Sequence, residues 1–349
     1  MRTPFIVLIA LCAACLTTAA PAAQPWADYV PGQTPLYNSY TGKAAPFPGG
    51  LTGAILPTSS GAPAADDLLF QNLLAAEWIV FSLYQQGVEA FNVSSFTSLG
   101  YPNTTYDRIT EIRDNEAGHL NIFYDEISNA SIKPGPCKYD FYFTGPEEWL
   151  AVQVLVELTS MAFLTGFVQE AQTNSTRAAL LAIAQTESRH NTWALIDIWN
   201  TDPFAGPADT ISPYANQVLK LAGGFVVNGS CPTENPPFPD PGQHLPSMSF
   251  NGTGAVGTEI DIIFPTSQPT FKNGTDYYMV YFHGLLNVSL PYDPVMHTSI
   301  VPNFDAGKGL VVAVIADAEG APTMESVVAG PLMLIEQPAV LTQSLAPFE

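Results

Sequence analysis

A repeated pair of charged residues constrains the fold of this chain more than any other feature. Glu116 and His119 lie in the middle of one segment with helical periodicity, and Glu187 and His190 lie in the middle of another. Residues three positions apart share one face of a helix, so each pair directs a carboxylate and an imidazole at one point. Apolar residues flank both pairs at helical spacing, which predicts that both faces point into a core. Charged groups in a core are costly unless they are paired or bound to metal.

The apolar residues of four long segments recur three and four positions apart, which predicts four helices. The predicted helices span residues 66–91, 106–128, 146–173 and 175–199. The last two nearly adjoin, which requires an antiparallel hairpin. Asp66 or Asp67 is placed to cap the first helix.

The other two helices each supply one carboxylate to the same core. Glu77 and Glu157 each stand alone in an apolar helical run. One Glu from each of two helices, with one E-x-x-H pair from each of the other two, is the ligand set of dinuclear carboxylate bundles. Four carboxylates would balance two divalent cations, with both histidines neutral. The predicted metal ligands are Glu77, Glu116, His119, Glu157, Glu187 and His190.

Carboxylate oxygens and imidazole nitrogens suit iron, manganese or zinc, and they suit copper(I) less well. We therefore expect two divalent transition-metal ions, with iron or manganese favoured over zinc. The competing interpretation is a bundle that keeps the fold without metal and protonates or hydrogen-bonds its buried carboxylates. No catalytic residue is assigned from the sequence.

Two further residues near the predicted ligands have alternative interpretations. Tyr84 follows Glu77 by two helical turns on the same face, and it either approaches the metals or packs in the core, which is the commoner case. Arg113 either pairs with a ligand carboxylate or pairs at the surface with Glu111 or Asp114.

The first residues are typical of a secretory signal. Met1 and Arg2 precede an apolar run over residues 5–16, and small residues follow over 17–23. The run is too short to anchor the chain in a bilayer. We expect a signal peptide at residues 1–23 and a mature protein that is secreted to the extracellular space or the cell wall.

Cysteines and glycosylation triplets agree with export. Cys12 and Cys15 fall inside the signal, which leaves Cys137 and Cys231 for one disulfide in an oxidising compartment. Eight N-x-Ser/Thr triplets without a central proline predict a glycoprotein. The acceptors are Asn92, Asn103, Asn129, Asn174, Asn228, Asn251, Asn273 and Asn287.

Composition excludes several classes of function. The 349 residues carry a formal charge of −21 with only 11 Lys and Arg, so no basic patch for nucleic acid can form. A hydrophobic share of 47% and an aromatic share of 11% exclude a wholly disordered chain. The most apolar stretch after the signal, residues 151–167, is interrupted by Glu157, so no membrane span is expected. The oligomeric state is not predicted.

The C-terminal third changes from helical to strand periodicity. Period-two runs separated by Gly, Pro and Asn predict strands at 259–264, 277–282, 310–316 and 332–336. We therefore expect an α+β multidomain chain. Its predicted parts are a signal peptide (1–23), a Pro/Gly-rich arm (24–65), a four-helix bundle (66–227), a Pro-rich linker (228–252) and a small antiparallel β-sandwich domain (253–349).

The four helices, with Glu and His at the six ligand positions, resemble a ferritin-like domain. With the signal, the sequons and the β-rich tail, the chain is similar to fungal secreted ferritin-like proteins of the stress-response and late-sexual-development group, and more distantly to plant desiccation-related proteins. The resemblance implies a ferritin-like fold and a stress or developmental context.

These features favour a secreted glycoprotein whose dinuclear metal site handles peroxide or dioxygen, for instance by catalase-like dismutation, with a small oxidant as partner. Whether the chain is an enzyme stays open; an enzyme of this kind would be a dinuclear-metal oxidoreductase. The alternative is a non-catalytic cell-surface or spore-wall protein that uses the bundle as a scaffold and binds a cell-wall component. Iron storage is disfavoured, because sequons at the helix ends would crowd the interfaces of a cage.

Overall fold

A computed structural model describes most of the chain after residue 52. The described residues are 53–201, 203–205, 222–237, 245–251, 257–265, 267–284, 286–303 and 310–335. The predicted signal peptide and most of the predicted N-terminal arm lie outside them.

The four predicted long helices are present, together with one short helix. They are α1 (Asp67–Ala90), α2 (Val93–Thr97), α3 (Thr105–Glu126), α4 (Pro146–Phe167) and α5 (Asn174–Trp193). Helix α4 ends at Phe167 rather than at 173, because the chain must turn before α5. The Arg177 guanidinium closes this turn by donating two hydrogen bonds to the carbonyl oxygen of Ala171. A π-helical turn, Ala194–Ile198, continues α5.

The acidic residues at the start of α1 do not cap it, so that prediction is wrong. Asp66 occupies the N-cap position without a side-chain cap hydrogen bond. Its carboxylate instead accepts hydrogen bonds at the beginning of α5, and Asp67 accepts from the backbone N–H of Ser128 at 2.9 Å. The donors to Asp66 are the backbone N–H groups of Gln172 and Thr173, at 2.8 and 3.1 Å, and the Thr176 hydroxyl, at 2.6 Å. The two carboxylates therefore tie distant segments to the start of α1.

Helix α1 packs against α3 and α4, and α4 packs against α5. The contact between α1 and α4 depends on Gly87, since a Cβ atom there would lie 2.5 Å from Cε2 of Trp149. The indole N–H of Trp149 donates a hydrogen bond to the Leu83 carbonyl at 3.0 Å. The absent side chain of Gly87 thus leaves room for a fully buried ring between the two helices.

The C-terminal part consists of two antiparallel sheets. Their strands are β1 (Ser249–Asn251), β2 (Glu259–Ile263), β3 (Tyr277–His283), β4 (Leu286–Tyr292), β5 (Thr298–Ile300), β6 (Leu310–Ala316) and β7 (Val327–Ile335). The sheet orders are β1-β2-β5 and β4-β3-β6-β7. The four predicted runs correspond to β2, β3, β6 and part of β7. Strand β1 lies within the segment predicted as a linker.

Strand β3 is buried on both faces. Met279 and Tyr281 belong to the cluster shared with the three-stranded sheet. Val280 and Phe282 point the other way and pack with Val154 of α4 and neighbouring apolar residues. The four-stranded sheet is therefore packed directly on the helical part.

Helix α4 lies between the other helices and this sheet, which explains its nearly uniform apolar composition. Among the described helices it alone is long and apolar enough to cross a membrane, and 78% of its most apolar window is buried in protein. A core helix satisfies the same criteria of length and composition.

The predicted disulfide between Cys137 and Cys231 is confirmed. It joins the segment before α4 to the segment that follows the helical part. Beside it, the Asn235 side chain bonds to both the N–H and the carbonyl of Gly135, each at 2.8 Å. Together, the disulfide and these hydrogen bonds hold the segment that follows the helical part against the segment before α4.

Candidate metal centre

The four long helices bring all six predicted ligands to one place in the core. Their side chains form two groups of four in which one ligand atom from each residue lies within 4.8 Å of the others. Each of the six residues is at most 5% exposed. The groups are Glu77, Glu116, His119 and Glu187, called here the His119 half-site, and Glu116, Glu157, Glu187 and His190, called here the His190 half-site.

The His119 half-site converges on one ring nitrogen. His119 Nδ1 lies 3.0 Å from Glu116 Oε2, one turn earlier on α3. It also lies 3.3 Å from Glu77 Oε1 on α1 and 3.2 Å from Glu187 Oε1 on α5. Three helices thus place three carboxylate oxygens around a single imidazole nitrogen.

The His190 half-site repeats this arrangement with α4 in place of α1. His190 Nδ1 lies 3.0 Å from Glu116 Oε1 and 3.3 Å from Glu157 Oε2. Glu187 Oε2, on the same helix as the ring, lies 3.6 Å away. The two imidazole ring centroids are 6.4 Å apart.

Glu116 and Glu187 each divide their two oxygens between the half-sites. Glu116 and Glu187 are therefore called here the bridging carboxylates, because each faces both half-sites, and Glu77 and Glu157, which each face one half-site, are called the terminal carboxylates. The sequence explains this arrangement. In each E-x-x-H pair the glutamate lies one turn before its own histidine on the same helix face, and that face is directed at the other pair.

Many polar atoms of the centre make no hydrogen bond of good geometry among the described residues, although each carboxylate oxygen among them lies 3.0–3.6 Å from an imidazole nitrogen. They are Glu77 Oε1, Glu116 Oε1, Glu157 Oε2, both carboxylate oxygens of Glu187, and His190 Nδ1. Buried polar atoms in native proteins almost always make hydrogen bonds, so carboxylate oxygens that face one another without such bonds require an explanation. Oxygen and nitrogen atoms in this arrangement fit divalent cations.

The electrostatics of the centre differ between terminal and bridging carboxylates. Burial and the neighbouring bridging carboxylates raise the pKa of Glu77 and of Glu157 well above the ordinary value. Burial opposes ionisation of Glu116 and Glu187 as well, but the imidazoles outweigh it and lower the pKa of both. Burial alone would lower the pKa of His119 and His190, yet the surrounding carboxylates raise it. Among the described residues, the two imidazoles are therefore the positive groups that hold the bridging carboxylates ionised.

Tyr84 is both a core residue and a partner of the centre. The side chain is fully buried, and its hydroxyl donates a hydrogen bond to Glu157 Oε1. The Gln153 amide in turn donates to the Tyr84 hydroxyl oxygen at 2.9 Å. The tyrosine therefore contacts the terminal carboxylate instead of reaching the space between the half-sites.

Sequence reasoning missed Gln153 and Asn115. Gln153 lies one turn before Glu157 on α4, a spacing that could have indicated it. Asn115 Oδ1 lies 3.2 Å from His190 Nε2, across from α3 to α5. This contact favours the tautomer with the proton on Nε2, which leaves the Nδ1 lone pair directed at the half-site.

Arg113 does not pair with a ligand carboxylate. Its guanidinium lies 2.7 Å from Asp114, as one of the two interpretations expected, and Glu111 pairs instead with Arg108. No positive side chain of the described residues therefore joins the two imidazoles in balancing the centre.

The helical part can now be compared with known proteins. Residues 65–196 match the family model of the ferritin-like domain, a segment that includes all four long helices and all six residues of the centre. No curated protein matches the chain significantly. The match to residues 65–196 supports the ferritin-like superfamily for the helical part.

Proposed function

We propose that the helical part is a ferritin-like four-helix bundle that holds two divalent transition-metal ions and handles peroxide or dioxygen. The observation that carries this proposal is the set of buried carboxylate oxygens and imidazole nitrogens that four helices bring within 4.8 Å of one another, many of them without a hydrogen bond of good geometry. Each half-site offers three carboxylate oxygens and one imidazole nitrogen. Iron and manganese are favoured by this hard donor set.

The charge of the centre supports two ions rather than one. Four ionised carboxylates carry four negative charges, and two divalent cations with neutral histidines balance them. A single ion would leave two negative charges in a core, which is costly. Glu116 and Glu187 would bridge the ions, Glu77 and His119 would complete one ion's ligands, and Glu157 and His190 would complete the other's.

Bound iron or manganese would supply the redox change that peroxide dismutation or dioxygen reduction needs. The protein would hold the ligands in place and keep bulk water out, since all six residues are buried. Burial and the Glu157 carboxylate raise the pKa of Tyr84 well above its ordinary value. Tyr84 therefore remains a hydrogen-bond donor to Glu157 at neutral pH.

We further propose that the protein is a secreted glycoprotein of the cell exterior or cell wall, with a role in stress or development. The Cys137–Cys231 disulfide fits an oxidising compartment. Of the eight sequon asparagines, seven are exposed and Asn92 is half-buried, so glycans can be accommodated. The two C-terminal sheets, with their shared core, would form a β-sandwich domain.

A scaffold without metal is the second candidate, and one observation favours it. His119 and His190 lie 3.0 to 3.6 Å from the carboxylates, with raised pKa values. Two imidazoliums and two ionised bridging carboxylates would also be neutral if Glu77 and Glu157 were protonated. Such a bundle could serve at a cell surface or in a spore wall, where the β part would bind a cell-wall component.

The two candidates are separated by a variant of one bridging residue. Glu116→Gln keeps the shape of the side chain and removes its charge, so we expect the purified variant to lose most of its iron or manganese. Glu111→Gln is the matched control, because Glu111 is exposed on the same helix and pairs with Arg108. Equal metal content in wild type and Glu116→Gln would contradict the proposed site.

The redox part of the proposal has its own test. Metal-loaded protein should release dioxygen from hydrogen peroxide, or consume dioxygen with a reductant, and Glu116→Gln should not. A metal-loaded protein that does neither would contradict peroxide and dioxygen handling while leaving metal binding intact.

A further inference from the structure

We propose that the two half-sites are unequal and that the His190 half-site binds its ion more tightly and fills first. This inference rests on the proposed dinuclear site. It assigns Tyr84 and Asn115 as positioning residues, because each holds a ligand of that half-site without facing the ion position itself.

Tyr84 fixes the terminal carboxylate of the His190 half-site. Its hydroxyl donates a hydrogen bond to Glu157 Oε1. The other carboxylate oxygen, Oε2, lies 3.3 Å from His190 Nδ1 and is directed at the ion position. The tyrosine is itself held, by the Gln153 amide at 2.9 Å and by an edge contact with the Trp149 ring at a centroid distance of 5.6 Å. Glu157 is therefore held in this orientation by a hydrogen bond that does not depend on a bound ion.

Asn115 fixes the imidazole of the same half-site. Its Oδ1 atom lies 3.2 Å from His190 Nε2, so the ring is held from the side opposite Nδ1. Because Asn115 is on α3 and His190 is on α5, the contact also joins these two helices. A histidine ligand that donates its second N–H to an oxygen acceptor is oriented and made more basic.

Among the described residues, the His119 half-site has no equivalent support. Within the described part of the chain, no side chain outside the six residues hydrogen-bonds to Glu77 or His119. Within the described residues, their orientations depend on helix packing and on the other ligands. Removing outer partners of this kind typically lowers metal affinity by about 10- to 100-fold, which is the difference we expect between the two half-sites.

The experiment uses the full chain, freed of metal with a chelator and titrated with Mn²⁺. Calorimetry should resolve two binding events that differ by about 10-fold or more in Kd. Electron paramagnetic resonance should show an isolated Mn²⁺ ion at one equivalent and a coupled pair at two. Two events of equal Kd, or a second event tighter than the first, would overturn the inference.

Two terminal variants assign the tighter event to a half-site. Glu77→Gln should keep one ion at the affinity of the first event, whereas Glu157→Gln should keep only an ion of the weaker affinity. The opposite result would place the tighter site at His119 and overturn the inference. No binding of Mn²⁺ to wild type would instead overturn the proposed function on which it rests.

Variants of the two positioning residues test whether Tyr84 and Asn115 cause the difference in affinity between the half-sites. Tyr84→Phe and Asn115→Ala should each weaken the first event by about 10- to 100-fold and leave the second unchanged. The controls are Tyr106→Phe, whose hydroxyl donates to the Val88 carbonyl at 3.2 Å, and Asn121→Ala, an exposed asparagine on α3. Equal weakening of both events, or none, would overturn the assigned roles. Asn115 is exposed, so we expect Asn115→Ala to fold. This variant therefore tests the inference even if Tyr84→Phe does not fold.

Discussion

Glu116 Oε1 on α3 lies 3.0 Å from His190 Nδ1 on α5, while its other carboxylate oxygen lies 3.0 Å from His119 on its own helix. One side chain thus joins the two E-x-x-H pairs, and Glu187 does the same from the opposite direction. This reciprocal arrangement joins the two half-sites into a single cluster, and each half-site is a group of four residues that could hold a metal ion.

Removal of bound metal should destabilise the fold. Ions that bind only the folded chain stabilise it by about 2.7 kcal/mol each when their free concentration is 100 times Kd. We expect chelation to lower the thermal unfolding midpoint and added Mn²⁺ or Fe²⁺ to restore it, as followed by circular dichroism. An unchanged midpoint, with the metal removed, would favour the scaffold.

A pair of glycine substitutions should change stability in opposite directions. A Cβ atom at Gly87 would meet the buried Trp149 ring at 2.5 Å, so Gly87→Ala should destabilise by about 1–3 kcal/mol. Nothing lies within 4 Å of a Cβ atom at Gly118, so Gly118→Ala should stabilise α3 by about 1 kcal/mol. Denaturant unfolding measures both changes. A Gly87→Ala variant as stable as wild type would contradict the close packing of α1 on α4, and a destabilising Gly118→Ala would contradict the open space at that position.

Asp66 should make the fold sensitive to acid. Burial opposes its ionisation, but hydrogen bonds from Thr176, Gln172 and Thr173 outweigh burial and lower its pKa. A lowered pKa in the folded state means that the stabilisation is present above the unfolded pKa, about 3.9, and is lost as the pH falls through the folded value.

The variant Asp66→Ala tests this pH dependence. At pH 7 we expect it to lose about 1–3 kcal/mol, since it leaves backbone donors without their charged acceptor. The difference from wild type should shrink as the pH falls below about 3.9. Asp107→Ala, at an exposed acidic residue in the first turn of α3, is the control. A loss independent of pH would indicate that shape, rather than charge, is what Asp66 contributes.

Loss of the disulfide should weaken the attachment of the segment around Cys231. The bridge closes a loop with a sequence separation of 94 residues, and removal of a native bridge costs about 2–5 kcal/mol. We expect the double variant Cys137→Ser, Cys231→Ser to unfold at a lower denaturant concentration and to be cleaved by protease near residue 231 before the helices are cut. Protease resistance equal to that of wild type would show that the Asn235 contacts suffice.

The helices and the gathering of the six residues could be predicted from the sequence because both depend on local periodicity. The spacing of Glu116 and His119, repeated at Glu187 and His190, indicates which side of each helix faces the core. Glu77 and Glu157 each stand alone in an apolar run. We expect their carboxylates to lie in the same core, because a buried carboxylate needs a cation or a hydrogen-bond donor.

Contacts between distant segments could not be predicted in the same way. Asp66 accepts hydrogen bonds from Thr173 and Thr176, more than a hundred positions along the chain, and no local pattern marks these partners. Asn115 is exposed and polar, as a solvated helix residue would be, although it contacts His190. The role of each appears only when the helices are assembled.

The strands that were missed have weak local signals. Strands β1 and β5 are three residues long, which is too short for an alternating pattern to be recognised. Strand β4 contains Pro291, which argues against a strand when only the sequence is read. The packing of β3 against α4 could not be predicted either. The alternation of side chains along a strand shows that both faces are apolar, but it does not show which element covers each face.

The most direct test of the central claim is the metal content of the protein purified without chelators, measured by inductively coupled plasma mass spectrometry against the protein concentration. We expect two iron or manganese ions per chain, with a magnetic signature of a coupled pair. A folded protein that carries no transition metal, and binds none when Fe²⁺ or Mn²⁺ is supplied, would contradict this expectation.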